Sequence, residues 1–266
     1  MNCELITAIV AALKAGREIM EIYEDPASDF QIERKKDNSP LTIADKKAHR
    51  VIAEELKRFS YPVLSEEGEH LPYEIRKGWT LLWIVDPLDG TKEFIRRNGE
   101  FTVNIALVKE GVPVMGVIYA PVLKTLYFGA EGIGAYRCEH IASEAIYSLE
   151  DYIAKGERMP CSPEKSSFTI VASRSHLNKE TQDYMDELEK EHGIVECISR
   201  GSSLKICMVA EGKADVYPRF APTMEWDTAA GHAIVRAVGK EIYLQDEVTP
   251  LVYNKPDLLN PWFVVR

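Results

Sequence analysis

Three apolar runs between residues 101 and 130 constrain this chain more than anything else in it: FTVNIALV (101–108), PVMGVIYA (113–120) and TLYFGA (125–130). Each is rich in β-branched and aromatic residues, and turn signals such as KEG and EGIG bound them. The gaps, residues 109–112 and 121–124, are too short for the crossover that parallel neighbours need, so the runs predict an antiparallel meander. LLWIVD (81–86) is a fourth strand of the same kind, ending on Asp86. Helical spacing surrounds these strands. Residues 4–23 place Leu5, Ile6, Ile9, Val10 and Leu13 on one face, and IADKKAHRVIAEELKRF (43–59) returns to that period. Beyond residue 165 the pattern predicts a strand (FTIVAS), a helix (KETQDYMDELEKEH), a second helix (SSLKICMVAEG), a strand (ADVY) and a last helix from Asp227. Residues 139–165 carry mixed charge without strand signal and read as a surface insertion followed by a boundary. The reading is α+β in two halves, 1–165 and 166–266.

Composition excludes several function classes. The 266 residues suffice for one large domain or two smaller ones sharing a cleft. No run of about 18 apolar residues exists, so no helix is expected to span a membrane. The opening MNCELITAIVAALKAGREIMEIYE carries acids and no cleavage pattern, and reads as an amphipathic helix rather than a signal peptide, which makes the cytoplasm the expected location. Five cysteines without a CxxC pair argue against a disulfide framework or a zinc knuckle. A formal net charge of −10 argues against a nucleic-acid partner. It leaves room for a small phosphorylated ligand, since bound divalent ions invert the local field.

The sharpest local feature is WIVDPLDGTKEF, which displays Asp86 and Asp89 at a strand end with the Leu88 carbonyl between them. Two carboxylates and a main-chain oxygen are hard ligands that suit Mg²⁺. The amides of Gly90 and Thr91, which follow, could hold a phosphate oxygen as a helix N-terminus does. PVLSEEGE ends a short apolar run on Glu66 and Glu67, and EWDTAAG puts Asp227 at a helix start beside small residues. Three acidic clusters of this kind supply oxygens for two Mg²⁺ ions bridging one phosphate. In KKDNSPLTIAD, Asp37, Thr42 and Asp45 form a further polar element, in which Thr42 or Asp45 could equally cap the next helix.

DPLDGT and WDTAAG together resemble the paired signatures of the lithium-sensitive, Mg²⁺-dependent phosphatases of the inositol monophosphatase superfamily. DPLDGTKEFIRRNGEFTVNIALV, SRSH, GSSLK and YPRF are similar to the 3'(2'),5'-bisphosphate nucleotidases within it, of the bacterial CysQ type, from about Leu5 to the C-terminus. The stretch from about Glu139 to Glu157 departs from that pattern.

The resemblance implies a layered α/β/α/β/α sugar-phosphatase fold with two sheet-bearing halves and a metal site in the cleft between them. It implies one Mg²⁺ on Glu66, Asp86 and the Leu88 carbonyl, a second on Asp86, Asp89 and Asp227, and a third near Asp37. Thr91 and Asp45 would orient the attacking water, with Glu66 beside it. The Gly90 and Thr91 amides would steady the phosphate, Asp89, Lys92 and Asp227 would also belong to the substrate site, His176 would contact the adenine or ribose, and Ser202, Lys205 and Arg219 would receive the second phosphate. Ser202 and Lys205, three apart on the predicted helix, share a face. The implied substrate is adenosine 3',5'-bisphosphate, with 3'-phosphoadenosine 5'-phosphosulfate as a second candidate and sulfur assimilation as the setting. An inositol monophosphatase or related sugar phosphatase is the alternative, against which KEF, SRSH and GSSLK argue. The expected assembly is a monomer or homodimer. Some members of the resembled group associate with the cytoplasmic face of the inner membrane.

Overall fold

The computed structural model of the chain describes residues 1–25, 30, 32–34, 40–142, 147–162, 165–172 and 178–266. In chain order these form α1 (Asn2–Glu24), β1 (Glu33–Arg34), β2 (Pro40–Leu41), α2 (Ile43–Leu56), β3 (Val63–Ser65), α3 (Tyr73–Arg76) and β4 (Leu81–Asp89). Next come α4 (Thr91–Ile95), β5 (Thr102–Lys109), β6 (Val112–Ala120), β7 (Thr125–Ala130), β8 (Gly134–Cys138), α5 (Leu149–Lys155) and β9 (Glu157–Arg158). The remainder is β10 (Phe168–Ala172), α6 (Lys179–His192), β11 (Val195–Ser199), α7 (Leu204–Glu211), β12 (Tyr217–Arg219), α8 (Glu225–Ala237), β13 (Ile242–Leu244) and β14 (Phe263–Val265).

The expected meander is the centre of the molecule. Strands β3 to β9 lie in one sheet in chain order, with β3 parallel to β4 and every later pair antiparallel. Its strands are apolar on both faces because both faces are covered. Trp83, Val85, Val103, Ile105, Val117 and Tyr119 pack with α1 and α2, whereas Leu82, Ile84, Ala106, Val108, Ile118 and Ala120 pack with α7 and α8. Helix α8 lies so close to the sheet that a side chain at Gly116 would overlap the Ala230 carbonyl. That contact explains the small residues after Asp227.

Beyond α7 and α8 lies a second sheet. β12, β14 and β13 pair antiparallel, and the parallel pair β10–β11 joins them through a bridge from Ile170 to Val216. Helix α6 covers its outer face, with Tyr184, Met185 and Leu188 on Ile170, Val216, Phe220 and Val264. The layers run α/β/α/β/α, as expected.

Several local expectations need correction. β4 does not stop at Asp86 but runs to Asp89, which pairs with Thr102 across a bulge between Asp86 and Asp89. The bulge accommodates Pro87, whose missing N–H would break a regular ladder. Helix α7 begins at Leu204, so Ser202 is not on it: its φ of 48° is left-handed. The late strand is 217–219 rather than 214–217. Residues 139–165 are more than surface, because α5 buries Leu149 and Tyr152 in the first core and β9 extends the sheet.

Candidate active site

The bulge at the end of β4 turns two carboxylates toward one point. Asp86 is 1% exposed, and its Oδ1 accepts the Leu88 amide at 3.0 Å. Gly90 closes the turn with φ 91°, and a side chain there would overlap the Ser202 hydroxyl, so the glycine is obligatory twice over. Asp227 approaches from the opposite side, on the first turn of α8. Its Oδ2 accepts the Met224 amide at 2.8 Å, which fixes the carboxylate and leaves its other oxygen for an ion. Oxygens of Asp86, Asp89 and Asp227 lie within 4.8 Å of one another. Glu66 follows β3, its amide bonded to the Val85 carbonyl at 3.1 Å, and its carboxyl acts electrostatically on Asp86.

The crowding has an electrostatic signature. Burial, then Glu66, Asp89 and Asp227, push the Asp86 carboxyl well above the usual carboxylate range. Burial, then Asp89 and Glu66, push Asp227 up to about 8. A divalent ion held by these oxygens would relieve both, and an all-oxygen donor set suits a hard cation. The residues therefore fit a metal site.

Thr91 and Asp45 are brought together as expected. Thr91 Oγ1 donates to Asp45 Oδ1 at 3.2 Å and lies 3.4 Å from the Leu88 carbonyl. The other Asp45 oxygen accepts the Thr42 amide at 2.7 Å and the Thr42 hydroxyl at 2.5 Å. Asp45 thus both caps α2 and faces Thr91; the two roles use different oxygens. Burial, set against the Thr42 hydrogen bonds and reinforced by Glu67 and Glu66, raises the Asp45 carboxyl to about 6.

Beside the acids lies a pocket of about 160 Å³ lined by Asp89, Gly90, Lys92, Lys205, Arg219 and Asp227 among others. Lys205 is 7% exposed, and its Nζ donates to the carbonyls of Ser202 at 2.7 Å and Arg200 at 3.4 Å. Arg219 Nε is buried and has no hydrogen-bond partner among the described residues. Ser202 lines the same pocket, and its hydroxyl, 2.9 Å from the Asp89 carbonyl and 2.7 Å from that of Glu100, also ties loops together. Asp37 and His176 lie outside the described residues.

Sequence reasoning missed Ser203 and Asn104. The Ser203 hydroxyl donates to Asp89 Oδ2 at 2.6 Å and accepts from Asn104 Nδ2 at 2.7 Å. The available signal was Asn104 itself, a polar residue inside the apolar run FTVNIALV.

A family model described as the inositol monophosphatase family matches residues 1–261. The chain belongs to this family. Within the inositol monophosphatase family it is similar to the 3'(2'),5'-bisphosphate nucleotidase CysQ of Salmonella typhimurium, at 46% identity over 256 residues that cover 96% of each chain. The 3'(2'),5'-bisphosphate nucleotidase CysQ of Escherichia coli strain K12 is 45% identical over 257 residues, again 96% of each chain. The crystal structure of CysQ from Bacteroides thetaiotaomicron superposes with a TM-score of 0.93 at 62% identity, covering 100% of this chain and 97% of that one. The inositol monophosphatase family is metal-dependent, and Asp86, Asp89 and Asp227 form a cluster able to hold a metal ion.

Proposed function

We propose that this chain is a Mg²⁺-dependent 3'(2'),5'-bisphosphate nucleotidase that removes the 3'-phosphate of adenosine 3',5'-bisphosphate, leaving AMP and phosphate. The observation that carries this reading is the pocket in which Asp89 and Asp227 stand opposite Lys205 and Arg219. An acidic cluster can hold one phosphate only through cations, whereas buried Lys205 and half-buried Arg219 hold another directly. A ligand with two phosphates matches both ends. A sugar monophosphate would leave a buried lysine and the Arg219 Nε without an anion. The 5'-phosphosulfate of the same nucleotide offers similar acceptors to Lys205 and Arg219.

Glu66, Asp86 and the Leu88 carbonyl would hold one Mg²⁺, and Asp86, Asp89 and Asp227 a second. Asp37 stands as the candidate for a third. Such ions supply charge neutralisation at the phosphoryl oxygens and water of lowered pKa. Thr91 donates its proton to Asp45 Oδ1, so its oxygen is left to accept a proton from the attacking water. Asp45, raised to about 6, is poised to receive a proton near neutral pH. The amides of Gly90 and Thr91, at the start of α4, bind phosphoryl oxygens, and exposed Lys92 adds positive charge at the rim.

Phosphorus NMR of the products tests the orientation. The resonance of the 3'-phosphate should vanish while that of 5'-AMP and inorganic phosphate grow. Accumulation of adenosine 3'-phosphate instead would reverse the proposed pose.

A further inference from the structure

Asp227, the proposed metal ligand, sits on a turn held by a part of the chain that supplies none of the proposed ligands. Four residues of the turn that presents it, Thr223, Met224, Glu225 and Thr228, are tied to the segment between Tyr253 and Asn260. The Asn260 amide donates to the Thr223 carbonyl at 2.8 Å, and Asn260 Nδ2 donates to the Met224 carbonyl at 2.8 Å. Met224 is the residue whose own amide fixes the Asp227 carboxylate. Glu225, fully buried, donates its amide to the Leu258 carbonyl at 3.0 Å. Its carboxylate accepts the amides of Asn254 at 2.6 Å and Lys255 at 2.9 Å, and pairs with Lys255 Nζ at 2.6 Å. Thr228 Oγ1 lies 3.1 Å from Asn260 Nδ2 and 3.1 Å from the Tyr253 hydroxyl.

The Tyr253 hydroxyl is held in turn. It lies 3.0 Å from His232 Nδ1, while His232 Nε2 bonds to Glu241. His232, Tyr253, Thr228 and Asn260 are at most 4% exposed, and none of their side-chain polar atoms lacks a partner among the described residues. A buried polar network in a layer otherwise made of Ala229, Ala230, Ile234 and Phe263 is expensive unless complete, and when complete it fixes one arrangement.

We propose that residues 253–260 form the positioning element of the metal site, with Asn260 and Tyr253 as positioning residues acting through Met224 and Thr228 on Asp227. The proposal rests on Asp227 being a metal ligand. Its consequence is that loss of either side chain loosens the α8 turn and weakens metal binding, although neither touches the ion. Outer-shell partners of metal ligands typically contribute about 10–100-fold in affinity.

The test is Mn²⁺ binding to the full chain, followed by the paramagnetic resonance of free Mn²⁺, in Asn260→Ala, Tyr253→Phe, Tyr127→Phe and Asp227→Asn. Tyr127 is a buried tyrosine whose hydroxyl donates to Glu211 at 2.7 Å, at the end of α7, with no hydrogen bond to α8 among the described residues, so it reports the effect of lost stability alone. Asn260→Ala should raise the Mn²⁺ dissociation constant about 10–100-fold and Tyr253→Phe severalfold, toward the lower end of that range. Tyr127→Phe should lower the melting temperature without changing Mn²⁺ affinity. Wild-type affinity in Tyr253→Phe and in any folded Asn260→Ala would overturn the positioning role. Equal weakening in Tyr127→Phe would overturn it too, by assigning the loss to general destabilisation. Wild-type affinity in Asp227→Asn would instead overturn the metal reading of Asp227, and the positioning with it.

Discussion

Replacing Lys205 by methionine separates recognition of the second phosphate from hydrolysis of the first. The side chain is buried over the ring of Tyr217, 5.6 Å from its centroid, and makes no ion pair with a carboxylate among the described residues. Methionine keeps most of the volume, and the substitution strands no partner charge. The fold loses only the hydrogen bonds to Ser202 and Arg200, about 1.5–3 kcal/mol for the shorter one to Ser202 and less for the one at 3.4 Å. A hydrogen bond between the ammonium and a phosphate contributes about 1.5–3 kcal/mol, which corresponds to a rise in KM of roughly ten- to a hundredfold. Adenosine 3'-monophosphate, lacking the 5'-phosphate, should be hydrolysed almost as before. A pH signature accompanies the effect. Burial, opposed by Asp89 and assisted by Arg219, lowers Lys205 to about 8, so the free enzyme loses this charge as pH rises through that value. KM for the bisphosphate should climb above pH 8, and KM for the monophosphate should not. The assay is kcat/KM for both substrates in wild type and Lys205→Met between pH 7 and 9. If both substrates lose activity by the same factor, Lys205 supports the fold or the acidic cluster, and the reading of the pocket is refuted.

Three further outcomes follow from the same geometry. Thr91→Ala should lower kcat by about two to four decades while Mn²⁺ affinity, measured directly, changes little; weaker metal binding at full kcat would make Thr91 a ligand instead. Asp45 must be ionised to accept a proton, so kcat/KM should fall as pH drops through about 6, and Asp45→Asn should abolish that limb along with most activity; an unchanged acid limb in the variant would assign it elsewhere. Asp227 holds a proton below about pH 8 in the metal-free protein, so metal binding must displace it. Apparent Mg²⁺ affinity should then rise with pH by up to about tenfold per unit between pH 6 and 8, and calorimetry showing a flat profile would contradict the assignment.

What the sequence made legible is what its local chemistry determines. Asp86, the Leu88 carbonyl and Asp89 come from one contiguous turn, and its Pro and Gly announce that turn. The meander was readable because its strands follow one another at short range and are apolar on both faces. Asp45 and Asp227 were ambiguous between cap and functional group, and the structure shows why: each carboxylate caps with one oxygen and faces the site with the other. Less local features were hidden. Ser202 and Ser203 are neighbours, but the left-handed backbone at Ser202 turns its hydroxyl to the Asp89 and Glu100 carbonyls and gives Ser203 the Asp89 carboxylate. No helical period reports that conformation. β13 and β14 are three residues each and gain their identity from pairing with each other. The Tyr253–Asn260 segment carries no periodicity at all, and its partners lie about thirty residues away in sequence.

Phosphate release from adenosine 3',5'-bisphosphate beside inositol 1-phosphate, each with saturating Mg²⁺ and with the metal chelated, tests the central claim most directly. The acidic cluster and the Lys205–Arg219 pocket together predict metal-dependent hydrolysis of the nucleotide with kcat/KM at least about tenfold above that for the inositol phosphate, the lower bound for one charged hydrogen bond. Equal or faster turnover of inositol 1-phosphate, or undiminished turnover after chelation, would contradict it.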